Sequence, residues 1–507
     1  MKKERAYLLL GPALLAVGAC ATVNPRHDYD RAAEHITRAT GQAEVYRPDD
    51  DAAVVARVTS ILEGGITAEE AAQLALLNNP SLQASFLNIG VAHADFVQSK
   101  LFSNPSLFTS FRLPDGGGLS NIELTLAQNI ADLWQIPVRK RAAEASLYQT
   151  IQLIAREAGV LASDAKAAYF RAAAADRQRA IAQENLAIAQ QLLDVALARQ
   201  QAGAGSEVDV NLARSELLDR ELAAHTAELA ALEARQELTV RLGLTSPLGE
   251  LALTDPLPVP VPLDLSVDEL IAVAHAERID VEAARNAVAA AEARWKEQRR
   301  RVFPTVEVGV AMERGERARG TDRNLLAETA RATLDAGQLA LPSLDPGEGQ
   351  DTDFIIGPSL GLELPIFDQN QAQIARAEFV FQQARKLLDA LIRQVTQDAR
   401  IVFERARIAR DVAGDYKDRV LPLRQTNLDL SREAYQAGKL SFLSVLEAQR
   451  TLLEARSRYI DTLRDAALAN TDVERVTGQP LSAVLAKERR LPDPPSEGTE
   501  PGKPNTP

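Results

Sequence analysis

At 507 residues, 46% apolar yet only 5% aromatic, the chain has room for more than one domain, and its Ala, Leu and Val suit closely packed long helices better than a compact enzyme core. A formal charge of −13, with no basic stretch interleaved with aromatics, argues against a nucleic-acid partner. The single cysteine excludes disulfides and thiolate metal sites.

Residues 1–19 read as an export signal: Lys2, Lys3 and Arg5, an apolar run from Ala6 to Val17, then the small residues Gly18 and Ala19. The run is too short to span a membrane. Small residues before a lone Cys20 resemble a bacterial lipobox, whose thiol becomes the lipidated mature N-terminus. The competing reading is an ordinary signal peptide with an incidental cysteine. Cleavage before Cys20 would remove three positive side chains and one negative, taking the charge from −13 to −15. Ala21, rather than Asp, points to the outer membrane. Residues 20–65 then form a lipidated N-terminal segment, and 66–253 a first repeat.

In that repeat a helix over 81–102 leads into two strands with period-2 alternation. In the first, Leu107, Thr109, Phe111 and Leu113 oppose Ser106, Phe108, Ser110 and Arg112; in the second, Ile122, Leu124 and Leu126 oppose Asn121, Glu123 and Thr125. Pro114-Asp115-Gly116-Gly117-Gly118 joins them in a short turn. A helix follows over 138–200 without internal proline, about 90 Å long at 1.5 Å per residue. It ends at Ala202-Gly203, where glycine supplies the left-handed cap. A return helix opens at Ser206, an N-cap with Asp209 three residues on, and runs to Gly243.

After a Pro-rich linker, 254–264, a second repeat occupies 265–481. Gly65-Ile66-Thr67-Ala68-Glu69-Glu70-Ala71 reappears as Asp264-Leu265-Ser266-Val267-Asp268-Glu269-Leu270, and in the same frame Ala84 falls on Ala283, Ala92 on Ala291 and Pro105 on Pro304. Gln201-Ala202-Gly203 reappears as Gln436-Ala437-Gly438, Ser206 as Ser441 and Gly243 as Gly478. A unit this long is one supersecondary design used twice rather than a solenoid. A helix over 280–302 leads into a strand with Val306, Val308, Val310 and Met312 against Thr305, Glu307 and Gly309. A fourth strand sets Phe354, Ile356, Leu360, Leu362 and Leu364 against Gly357, Ser359, Gly361 and Glu363. The connection between them, 313–352, ends in the acidic Asp345–Asp351 run, whose spacing is not that of an EF-hand. A second long helix covers 369–436, with a bend expected at Pro422. Its return helix opens at Ser441. Residues 482–507 read as a disordered tail.

Each strand is near the length a tilted strand needs to cross a bilayer. One reading is a four-stranded sheet covered on one face by helices. The other is a membrane barrel, which four strands cannot close alone because open edges are not tolerated in lipid, so the barrel would be shared between chains.

The duplicated order of helix, strand pair, long helix, Ala-Gly tip and return helix resembles the outer-membrane efflux family typified by TolC, over about 67–481. Its most specific stretch is Arg419-Val420-Leu421-Pro422, followed by Glu433-Ala434-Tyr435-Gln436-Ala437-Gly438-Lys439-Leu440-Ser441-Phe442 and Leu443 to Leu452. The resemblance implies a mainly α fold with a membrane β-barrel portion: a homotrimer with twelve strands in a shared barrel, continued by a long periplasmic α-helical barrel. It implies an outer-membrane channel of a tripartite efflux system, a passive exit duct that docks on a periplasmic adaptor and an inner-membrane pump. The tip turns Gly203, Ser206, Gly438 and Ser441 would meet the adaptor. Tyr435 and Glu447 match the family's gate-region aromatic and acid, with Glu207 and Asp209 as a further acidic ring. Ser444 and Leu440 stand where the type member carries an acid and a base, so its salt-bridge lock does not carry over. Arg112, Glu123, Glu307 and Glu363 would face the barrel lumen.

No cofactor or enzymatic chemistry is read. There is no G-x-S-x-G or H-E-x-x-H, and Gly438-Lys439 lacks the rest of a P-loop. His275 has no matching ligands nearby and reads as a packing or surface histidine. The alternative function is a lipid-anchored periplasmic coiled-coil scaffold or adaptor without a pore, which would leave two membrane-length hairpins without a purpose.

Overall fold

The computed structural model describes residues 22–48, 51–113, 120–245, 251–259, 265–301, 305–317, 325–341 and 351–488. Cys20, the 114–118 turn, most of the acidic run before Asp351 and the tail from 489 lie outside the described residues. In chain order the elements are α1 (Arg26–Thr40), α2 (Asp51–Leu62), α3 (Ala68–Asn78), α4 (Pro80–Lys100), β1 (Ser106–Arg112), β2 (Asn121–Asn129), α5 (Asp132–Gln201) and α6 (Glu207–Arg241). There follow α7 (Val267–Glu277), α8 (Ile279–Arg300), β3 (Val306–Arg317), α9 (Leu325–Ala336), β4 (Asp351–Leu362), α10 (Gln371–Asp415), a π turn (Tyr416–Val420), α11 (Leu421–Gln436), α12 (Phe442–Thr477) and α13 (Leu481–Glu488). The chain divides into two compact units, one of residues up to Asp95, Ala145–Val288 and from Gln383, the other of Phe96–Glu144 and Ala289–Gln382.

The helical unit is built on the duplicated segment. Thr67 and Ser266, equivalent in the repeat, each close a capping box: the hydroxyl accepts from the backbone N–H of Glu70 or Glu269, whose carboxylate accepts from the cap's own N–H. Those bonds hold the Glu269 carboxyl below the usual range. Behind them, the Tyr169 hydroxyl donates to the Ile66 carbonyl at 3.1 Å and accepts from the Asp255 N–H at 2.8 Å, tying the start of the first repeat to the linker that follows it. Burial pushes this phenol up to about 12.

Charged side chains lock the helices where apolar packing is mostly alanine. Lys166 on α5, 5% exposed, sits 2.7 Å from Glu69 of α3 and 3.0 Å from Glu474 of α12. Burial works against its charge, but Glu474 and Glu69 outweigh it and hold the ammonium above the usual lysine range. Asp280 of α8 is likewise buried against its charge, yet Arg278 at 2.6 Å and Arg156 at 3.5 Å hold its carboxyl below the usual range. Arg475 pairs with Asp164, which also meets Arg241 of α6 at 3.6 Å. The apolar layer between α10 and α12 consists of Val395, Ala399, Val402 and Ala406 against Ala469, Val473 and Val476.

The second unit contains a four-stranded antiparallel sheet in the order β1-β2-β3-β4. Both expected hairpins form, and β2 pairs with β3, joining the first repeat to the second. Helix ends are tied to the sheet by side chains: Asp132 accepts from the Ser103 N–H at 2.6 Å, and Arg139 donates to the Ser99 and Leu101 carbonyls.

Several expected boundaries are corrected. The first long helix has 70 residues and begins at Asp132, with Pro137 inside its second turn, which leaves the Leu133 carbonyl without its intrahelical donor. The helices expected over 81–102 and 280–302 are Pro80–Lys100 and Ile279–Arg300. Just before Pro422, where a bend is expected, the helix holds a π turn, in which the Leu421 N–H bonds the Tyr416 carbonyl. Ser441 holds the extended N-cap conformation without a side-chain cap bond; its Oγ lies 3.2 Å from Ser444 Oγ. The 313–352 connection is shorter than expected, since β3 runs to Arg317, β4 starts at Asp351, and α9 lies between. Residues 481–488, most of them in the expected disordered tail, are helical.

Candidate functional site

In the sheet, register decides the chemistry. Leu107, Leu126, Val310 and Pro358 stand in one cross-strand row, Thr109, Leu124, Met312 and Ile356 in the next, and Phe111, Ile122, Arg314 and Phe354 in a third. Successive side chains alternate between faces, so these rows form one almost wholly apolar face. Phe111 is 69% exposed, Ile356 68% and Leu360 74%, so the chain itself leaves this face uncovered.

The opposite face is mainly polar, with Phe108 and Ile355 as its apolar exceptions. Glu123 stands directly across from Glu313, a like-charge pair that is costly unless offset. Arg112 lies 3.7 Å from Glu123, and the Asn121 amide donates to Glu313 at 2.8 Å. Glu307 stands on the same face, opposite Gly361. Glu363 follows the last strand residue, its N–H donating to the Thr305 carbonyl at 3.4 Å. Three of the four expected lumen residues therefore lie within one paired sheet face, and Glu363 at its margin. Glu313 is an addition, hidden because the alternation of β3 was read only as far as Met312. Gly309 shares this face, and a Cβ there would lie 2.3 Å from the Leu126 carbonyl oxygen and 2.8 Å from Ala127 Cα. Only glycine lets β2 and β3 approach this closely.

In the helical unit the two hairpin tips are built alike. Gly203 and Gly438 have φ of 72° and 73°. The Ala204 N–H reaches back to the Arg199 carbonyl and the Lys439 N–H to that of Ala434, closing two Schellman turns. Ser206 and Asp209 form the expected capping box, which engages the Asp209 carboxylate with the Ser206 N–H at 3.2 Å. Tyr435 is packed, its ring 5.9 Å from that of Phe442 and capped by the Arg199 guanidinium at 4.7 Å. Leu193, Ala196, Val210, Ala213 and Phe442 form the core between the hairpins. Glu207 and Glu447 are exposed, as are Val208, Leu440 and Leu443. The tip therefore presents an apolar and acidic end on a rigid base. His275 bonds Thr396 at 3.0 Å.

Residues 270–479 match the family described as outer membrane efflux protein. The cobalt-zinc-cadmium resistance protein CzcC of Cupriavidus metallidurans is 29% identical over 294 residues, 56% of this chain and 59% of that protein. A membrane protein from Pseudomonas aeruginosa superposes with a TM-score of 0.63 at 18% identity, over 81% of this chain and 92% of that one. The Neisseria gonorrhoeae MtrE outer membrane channel, in its open state, gives 0.61 at 17%, over 82% and 89%. The fold is shared with these two solved membrane proteins.

Proposed function

From the match of residues 270–479 to the outer membrane efflux protein family, we propose that this chain is the outer-membrane channel of a tripartite efflux system. It is a passive duct formed by three copies, meeting a periplasmic adaptor and an inner-membrane pump at the Gly203 and Gly438 tips. Cys20 carries the lipid anchor. The observation that carries the reading is the register of the sheet, which gathers an exposed apolar face, a polar face and two unpaired edges in one four-stranded element. Such edges are stable in lipid only when neighbouring copies close them.

The cargo class best supported is small cations. CzcC is named for resistance to cobalt, zinc and cadmium, and the polar face here carries Glu123, Glu307 and Glu313, which threefold assembly multiplies into carboxylate rings. In the gate, Tyr435 holds the two hairpins together while Glu207, Asp209 and Glu447 supply the acidic ring.

Purified protein added to planar lipid bilayers is expected to give discrete conductance steps, and native mass spectrometry in detergent to give three chains. A monomer that stays soluble without detergent and conducts nothing would overturn the channel and leave the scaffold.

A further inference from the structure

In the unit of Phe96–Glu144 and Ala289–Gln382, the helix ends that adjoin the sheet carry charge opposite to that of the chain. α4 ends at Lys100 and α8 at Arg299 and Arg300, six or seven residues before β1 and β3 begin. Lys140 and Arg141 of α5 belong to the same level, because their neighbour Arg139 donates to the Ser99 and Leu101 carbonyls at the end of α4, at 3.0 and 2.8 Å. The Ile130 N–H bonds the Val306 carbonyl at 2.8 Å, which sets the foot of β2 beside that of β3 and so near the end of α8. All five cations are exposed, and among the described residues none forms an ion pair. The nearby carboxylates are otherwise engaged: Asp132 with Arg139 and the Ser103 N–H, Glu292 with Lys296, and Glu297 with Arg301. Five cations against Glu144, one turn further along α5, leave +4 in a chain whose formal charge is −13.

Helix dipoles do not account for this concentration. A cation in the last turn complements the macrodipole, which suits Lys100, Arg299 and Arg300. Lys140 and Arg141 stand in the third turn of α5, beyond the reach of a dipole whose near end is in any case positive. Aromatic and apolar side chains are set among the charges. Lys100 Nζ lies 4.1 Å from the centre of the Phe96 ring, and the Arg299 guanidinium 5.5 Å from that of Trp295, which stacks on Phe381 at 5.9 Å. Such contacts hold a cationic head in place without neutralising it. Phe102 and Leu133 are exposed at this level, and so is Phe367, kept near the end of α8 by the Asn370 amide bonding the Gln298 carbonyl at 2.7 Å.

We propose that this belt binds anionic glycerophospholipids of the leaflet on the helical side of the membrane. Lys100, Lys140, Arg141, Arg299 and Arg300 take the phosphates, and Phe102, Leu133 and Phe367 meet the acyl chains beside them. The occupant is a lipid because the charges adjoin exposed apolar side chains at the foot of a sheet whose own apolar face is uncovered. A free anion would use the charges alone, whereas a phospholipid satisfies both sets of groups at once. The proposal rests on the reading of the sheet as membrane-embedded, and adds the class of lipid that seats it.

The test is native mass spectrometry of the full chain released from nanodiscs of phosphatidylglycerol and phosphatidylcholine in equal parts, with the retained lipids identified by mass. The wild type is expected to retain phosphatidylglycerol in several-fold excess. A cation near an anionic lipid surface is worth about fivefold in affinity, so Lys140→Gln/Arg141→Gln and Arg299→Gln/Arg300→Gln should each lose most of that excess while staying assembled. Arg400→Gln/Arg405→Gln, which removes two exposed cations of α10 away from the belt, should keep it. Equal retention of the two lipids by an inserted wild type, or an excess that survives both belt variants, would overturn the belt and leave the channel reading standing. A shifted reversal potential in the belt variants with lipid retention unchanged would also overturn it, by placing these cations in the lumen. A chain that does not enter the nanodiscs would overturn the membrane-embedded sheet, and the belt with it.

Discussion

Single residues in this protein act through charge held in place and through backbone conformation. Asp280 illustrates the first. Its folded carboxyl is held below the ordinary 3.8 by Arg278 and Arg156, so the stability it contributes is present above that value and is lost as pH falls through the folded one. Asp280→Asn is therefore expected to cost about 2 kcal/mol at pH 7, read by thermal melts in detergent, and the gap from wild type should shrink in strong acid. A gap that does not change with pH would show that the carboxylate is not the source. Gly203 and Gly438 illustrate the second. No heavy atom lies within 4 Å of a Cβ at either position, so valine there meets strain from positive φ alone, about 1–3 kcal/mol per site. In the Gly203→Val/Gly438→Val variant the trimer should still assemble while export, measured as survival under the proposed cation cargo, is lost. Unchanged export would remove the tips from the docking surface.

At the level of elements, the sheet separates two environments one residue apart. Val310 lies on the apolar face and Ala311 on the polar one. Val310→Lys is expected to destabilise the inserted protein by about 2–4 kcal/mol near the bilayer midplane, whereas Ala311→Lys should be tolerated and shift ion selectivity. Equal effects in urea unfolding from vesicles would contradict the assignment of faces. Gly309→Val pushes a side chain into the Leu126 carbonyl and should prevent the β2–β3 pairing. It is expected to abolish heat-stable trimers on gels while the isolated helical signal in circular dichroism persists. The long helices behave differently, because their partners are chosen by small residues and scattered ion pairs along the whole length, so single changes there, away from buried pairs such as Lys166 with Glu69 and Glu474, should be mild.

For the whole molecule, charge and anchoring are the properties to measure. Under a salt gradient in planar bilayers the reversal potential should report cation preference, weakened in Glu123→Gln/Glu313→Gln and, at the tip, in Asp209→Asn/Glu447→Gln. Anion preference in the wild type would sink the carboxylate-ring reading. Cys20→Ser should abolish fatty-acid labelling while leaving protein in the membrane, since the barrel is the stronger anchor. Much of this was legible in the linear chain. Alternation over six to eight residues is enough to sort side chains onto two faces, and Ala-Gly followed by Ser fixes a helix end by local sterics alone, so strands, tips and the duplicated plan emerge from neighbours in sequence. What lay beyond reach depends on groups distant in sequence. The pairing of β2 with β3, the glutamate pair that this pairing creates, the burial of Lys166 between Glu69 and Glu474, and the π turn before Pro422 are each settled by which surfaces meet. One-dimensional periodicity carries no information about that choice, because many partners satisfy the same pattern and only packing in three dimensions selects among them.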